Sequence, residues 1–153
     1  MRRRDFISLL GGAAAWPLVA HAQQRDRIRH IGFLIGLSAD DPEGHARHAA
    51  FLQGLQQLGW TLGRNLRMDY RSAGSVADLY PKYAAELVAL APEVIVTGGT
   101  AALAALLQAT RTVPLVFANA ADPVGSGYVA SLARPGGNAT GFMWKRVSRC
   151  GRQ

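Results

Sequence analysis

The chain has 153 residues, 49% of them hydrophobic, with a single cysteine and a formal net charge of +7 from 17 Lys and Arg against 10 Asp and Glu. One thiol, Cys150, excludes an internal disulfide and a cysteine-cluster metal site. The charge lies at the ends: apart from Arg2, Arg3, Arg4 and Asp5 at the start and Lys145, Arg146, Arg149 and Arg152 at the finish, the body from Gln23 to Trp144 holds 10 basic and 9 acidic residues, so no phosphate-neutralising face is supported and nucleic acid is not an expected partner.

The first residues run from three arginines through an apolar stretch, Phe6 to Ala20, to the small-residue close Ala20-His21-Ala22. Charge, then apolar run, then small residues is the order of a secretory signal peptide, expected here over residues 1–22. The run is too short to span a bilayer core, and Gly11, Gly12 and Pro17 weaken it further as a helix. Arg3-Arg4-Asp5-Phe6-Ile7 resembles a twin-arginine export signal, which implies a bacterial protein exported to the periplasm with a mature chain starting at Gln23.

The body alternates short apolar runs with helical stretches. His30 to Ile35 reads as a buried strand. Asp41-Pro42-Glu43 supplies an N-cap, a first-turn proline and an early acid, and apolar residues recur at Ala46, Ala49, Ala50, Leu52, Leu55 and Leu58 until Gly59 stops the helix. Asn65 to Tyr70 alternates Leu66, Met68 and Tyr70 with polar residues, as an edge strand with one wetter face does. Ser75 to Asp78 approximates a capping box ahead of a helix from about Val76 to Leu90, ended by Pro92. Glu93 to Thr97 is a strand that turns at Gly98-Gly99-Thr100 into a helix over 101–108. Pro114 to Ala118 is a further buried strand, Asp122-Pro123 opens a fourth short helix over Val124 to Leu132, and Ala139 to Phe142 begins a fifth strand. This βαβαβαβα order predicts the α/β class, a doubly wound parallel sheet with helices on both faces.

Ligands of such sheets sit beyond the carboxyl ends of the strands, which directs attention to the loops Gly36 to Asp41, Gly98 to Thr100 and Asn119 to Asp122. The first two loops offer Ser38, with Asp41 occupied in capping, and Gly98-Gly99-Thr100, whose N–H groups and hydroxyl suit an anion at a helix start. The alternative for the glycines is a tight turn with Thr100 as the cap. In the third loop Asn119 is the better ligand candidate, and Asp122 stands at an N-cap position. His45 and His48 lie three apart on the first helix but lack a third metal ligand, so both are expected on a solvated surface. Gly125-Ser126-Gly127 falls inside the expected fourth helix instead of on a nucleophile elbow, so no catalytic constellation emerges. No cofactor and no metal is expected.

The segments HIGFLIG, FLQGLQQLGWTLGRNLRMDYRSAG, PEVIVTGGTAALAALLQAT and VPLVFANAADPVGSGYVASLARPGGNATGF resemble the N-terminal lobe of ABC transporter substrate-binding proteins with a type I periplasmic-binding-protein fold, a group related to binders of aromatic or branched amino acids. The resemblance implies a non-enzymatic, two-lobed clamp that closes on a small solute, such as an amino acid or similar carboxylate, and delivers it to an inner-membrane ABC permease. Its strand-end contacts fall by position on Ser38, Gly98, Gly99, Thr100, Asn119 and Asp122. The expected organisation is a leader over 1–22, a single α/β lobe over 23–143 and an irregular basic tail over 144–153. Members of the group continue into a second lobe where this tail runs, so a truncation or frameshift is expected, with half of a cleft holding a solute weakly. A small flavodoxin-like or hydrolase-like enzyme domain is the rival, and it expects a bound flavin or phosphate.

Overall fold

A computed structural model describes residues 27–143; the expected leader at 1–22 and the tail at 144–153 lie outside the described residues. Short apolar runs separated by helical segments can pair in parallel only through crossovers long enough to return the chain to the same edge. Five strands pair in this way: β1 (Arg29–Ile35), β2 (Leu66–Ser72), β3 (Val94–Gly98), β4 (Leu115–Ala118) and β5 (Ala139–Phe142). They form one sheet in the order β2-β1-β3-β4-β5, and every pairing is parallel. Among the described residues the crossovers hold α1 (Pro42–Gln57), α2 (Leu79–Ala89) and α3 (Thr100–Ala109). The chain moves outward from β1 to β2, then reverses past β1 to β3, so right-handed crossovers place α1 on one face and α2 and α3 on the other. The reversal opens a crevice at the carboxyl ends of β1 and β3.

The main core lies on the α2–α3 side. Register aligns Gly32, Ile95, Leu115 and Ala139 in one row and Leu34, Thr97, Phe117 and Gly141 in the next. Against these rows pack Leu87 of α2 and Leu103 and Leu106 of α3, all fully buried. Each such aliphatic side chain contributes about 1.5–3 kcal/mol by leaving water. The opposite face carries the row Tyr70, Phe33, Val96, Val116 and Thr140. Cover is unequal there: Phe33 is 6% exposed beneath α1, Val96 and Val116 are half-buried, and Phe142 at the far strand is 76% exposed.

Asp41 caps α1 as expected, its Oδ1 accepting from the Glu43 and Gly44 amides at 2.8 and 3.3 Å. The contact stripe of α1 keeps Leu52 and Leu55 of the expected apolar positions, both half-buried, and differs from it elsewhere. Ala46, Ala49 and Ala50 are exposed, whereas Gly44 is buried and His48, Phe51 and Leu55 are half-buried. Positions 44, 48, 51 and 55 are spaced four, three and four apart, so they share one face just as the alanines share another. Gly44 is buried by its close approach to Leu37 and Ser38, and beyond it the larger side chains occupy the seam because they remove more apolar area from water.

Two expected helical features fail. No side-chain cap starts α2, which begins at Leu79 after Asp78 and not at Val76, so the capping box at Ser75 does not form. The expected fourth helix over Val124 to Leu132 is a series of turns. Its amides do begin helically, with Ser126 N–H donating to the Asp122 carbonyl at 3.0 Å, but Gly127 adopts φ +71° and ends the turn. Two glycines within four residues cost such a segment about 1 kcal/mol each relative to alanine.

Candidate functional site

β3 leads directly into the third helix. The turn passes through Gly99 at φ +96° and ψ 158°, a region that only glycine occupies without strain. Because the cap residue is this glycine, no side chain covers the start of α3. Thr100 does not cap either: its Oγ1 accepts from the Ala121 amide at 2.9 Å, across to the next loop. The first helical amide to find an intrahelical carbonyl is that of Leu103, which donates to Gly99. The earlier amides of α3 therefore point outward with the positive end of the helix dipole behind them.

The loop after β4 is fixed to this helix start. Gly99 N–H donates to the Ala118 carbonyl at 3.2 Å, and Asn119 N–H donates to the Phe142 carbonyl at 3.1 Å. Asn119 takes φ +59°, which turns its exposed side chain away from the strand direction. Asp122 also lies at positive φ, +37°, and its Oδ1 accepts from the Gly125 amide at 2.9 Å. Its carboxylate thus closes a turn instead of capping a helix, since the expected helix is not there.

Gly98, Gly99, Thr100, Asn119 and Asp122 are accordingly held on two hydrogen-bonded loops at the carboxyl edge of the sheet. Ser38 stands apart on the β1 loop. That loop is tied to the other side of the sheet, where Ser72 Oγ donates to the Leu37 carbonyl, and Ser38 is exposed with its carbonyl accepting from the Asp41 amide at 3.1 Å. Its neighbour there is Gly74, past the end of β2, so the structure does not bring Ser38 together with the other expected residues.

A cavity of about 660 Å³ opens on the α1 side of the sheet. Phe33, Ile35, Phe51, Val96, Phe142 and Met143 line it, Gly98 and Asn119 reach its upper rim, and the ion-paired Glu43 and Arg47 of α1 border it. The volume falls in the range of small-molecule sites, and the lining is largely apolar with few polar groups. Of the six residues expected at the strand ends, Gly98 and Asn119 border this cavity and Ser38, Gly99, Thr100 and Asp122 do not, and its apolar residues were not singled out from the sequence. Their signal was the alternation that puts Phe33 and Ile35 of β1 and Val96 of β3 on one face, which read simply as buried strand.

The two histidines of α1 separate. His45 is exposed with Nε2 on the Ala39 carbonyl at 2.5 Å, while His48 Nε2 is enclosed, in contrast to the solvated surface expected for both. No group of three or more His, Cys, Asp or Glu side chains gathers among the described residues.

With this geometry in place, the family model described as ABC transporter substrate binding protein matches residues 39–146. A tyrosine-binding protein of Clostridioides difficile is 28% identical over 109 residues, covering 70% of this chain and 32% of that protein. Among solved structures, a conserved domain protein from Vibrio cholerae is 32% identical with a TM-score of 0.71, covering 76% of this chain and 39% of that one. An ABC domain in complex with L-Trp from Streptococcus pneumonia is 27% identical with a TM-score of 0.69, covering 76% and 38%. The chain spans 32% of the length of the curated relative it matches and 38–39% of those two solved chains.

Proposed function

The chain belongs to the family of ABC transporter substrate-binding proteins, and from that premise we propose that it is an exported solute-binding lobe that takes the carboxylate of an amino acid, aromatic in the first instance, at the start of α3. The observation that carries this reading is the uncapped helix start: Gly99 offers no side chain, and Thr100 directs its hydroxyl to Ala121. A carboxylate placed there gains the free amides and the dipole, worth about 0.3–1 kcal/mol when exposed and up to about 2 kcal/mol when partly buried. Asn119 is the neighbouring group able to donate or accept toward the amino-acid head. The aromatic preference is drawn from the tyrosine-binding relative and the L-Trp-bound neighbour.

In this reading a second lobe closes the site from the other side of the crevice, the closed form engages an inner-membrane ABC permease, and the leader with Arg3-Arg4-Asp5-Phe6-Ile7 directs the protein to the periplasm. Titration calorimetry of the chain with L-tyrosine, L-tryptophan, L-leucine and tyramine tests the carboxylate assignment. The expected result is binding of the aromatic amino acids and at least about a tenfold loss for tyramine, which lacks the carboxylate. Equal affinity for tyramine and tyrosine overturns it.

A further inference from the structure

The seam between α1 and the sheet contains one titratable side chain from the helix, His48, on the stripe it shares with Gly44, Phe51 and Leu55. Its ring lies 4.7 Å from that of Tyr70 and 5.9 Å from that of Phe33. Phe33 in turn stacks on Tyr70 at 5.6 Å and meets Phe51 at 5.2 Å, so the imidazole is the fourth member of an aromatic cluster. Its Nε2 is enclosed and has no hydrogen-bond partner. A neutral imidazole can occupy such a place with Nε2 as the unprotonated nitrogen. A protonated one cannot do so cheaply, because Nε2 becomes a charged donor with no acceptor.

The groups around it offer no relief. From α1, His45 lies one turn earlier and opposes a second positive charge, and Glu43 is already paired with Arg47. From β2, the Tyr70 phenol is pushed up by burial and stays neutral, while Arg67, Asp69 and Arg71 alternate onto the opposite face of the sheet. From β1, Phe33 carries no charge, Arg29 is paired with Glu93 at the far end of the strand, and His30 is paired with Asp69 on the opposite face. The attraction of a cation for the Tyr70 and Phe33 rings is the smaller effect beside an enclosed, unsatisfied charged donor.

We propose that His48 is a pH switch in this seam: when the imidazole takes a proton the ring leaves the aromatic cluster, and α1 loosens from the sheet together with the Gly36 to Asp41 loop that precedes it. Burial, then the nearby His45, hold the His48 pKa below 6.5. A base whose folded pKa is depressed leaves the unfolded chain holding more protons, so the stability is complete above about 6.5 and is lost as pH falls from there through the lowered value. Because α1 borders the cavity through Glu43 and Arg47, the consequence for solute binding rests on the function proposed above, whereas the seam itself does not.

The test follows the His48 ring by NMR titration of the full chain, alongside urea unfolding at about pH 7.5 and about pH 5 of the wild type, H48Q, H48F and H45Q. His48 is expected to titrate below the unperturbed range. The wild-type folding constant is expected to fall by about tenfold for each unit of that depression, with H48Q and H48F losing this dependence and H45Q keeping most of it. A His48 that titrates at or above the ordinary value, or an H48Q protein with the wild-type pH dependence, overturns the proposal. If H48F does not fold, the titration and H48Q still decide, and since no solute is present, failure here leaves the binding assignment untouched.

Discussion

The hydroxyl of Thr100 accepts from the Ala121 amide, and through that bond the loop bearing Asn119 and Asp122 is fastened to the start of α3. Replacing Thr100 by valine keeps the shape and removes the acceptor. The expected outcome is a loss of about 0.5–1.5 kcal/mol in urea unfolding, with faster hydrogen exchange at the Ala121 amide, while Thr100→Ser retains the protection. Read along the chain, Thr100 sits where a helix cap belongs, and nothing nearby signals a partner 21 residues away. That partner exists only because β3 and β4 are neighbours in the sheet. Asp41 is the converse case: its partners are two and three residues on, so its capping role was legible at once.

Helices and strands were recognisable wherever local pattern and tertiary demand agree. The start of α1 follows from Asp41-Pro42, and the alanine- and leucine-rich run of α3 buries Ala102, Leu103, Ala105 and Leu106 against the sheet. Leu103 is wholly enclosed by this packing, so Leu103→Ala is expected to cost about 2–5 kcal/mol, read as a lower urea midpoint with an unchanged slope. Ala101 on the exposed side of the same helix is the control, with Ala101→Ser changing stability by no more than about 0.5 kcal/mol. The segment after Asp122 shows where pattern misleads. Asp-Pro is a helix-start signal, yet Gly125 and Gly127 follow too closely, and the carboxylate that was to cap a helix closes a turn. On α1 the period was right and Leu52 and Leu55 are half-buried as expected, but Ala46, Ala49 and Ala50 are exposed, because alanines compete with His48 and Phe51 for the seam and volume decides between them.

For the molecule as a whole, acid acts in two windows. Asp69 at the sheet edge accepts a hydrogen bond from His30, which with Arg67 and Arg71 holds its carboxyl below 3.8 despite partial burial. Stability from this carboxylate is present above 3.8 and is lost as pH falls through the lowered value, whereas the His48 contribution is lost earlier, below 6.5. Unfolding free energies measured from neutral pH down to about pH 2 should therefore decline in two steps, with Asp69→Asn flattening the lower one and leaving the upper. The parallel α/β order, the edge position of β2 and the loops at the strand ends were set by the sequence alone, because apolar period, caps and glycines act over a few residues. Only the tertiary structure decided that Thr100 holds Ala121, that His48 faces Tyr70, and that the sheet is well covered at Phe33 yet open at Phe142. Those outcomes depend on which strands become neighbours and which helix face wins the seam, a competition among residues far apart in the chain that no local pattern encodes.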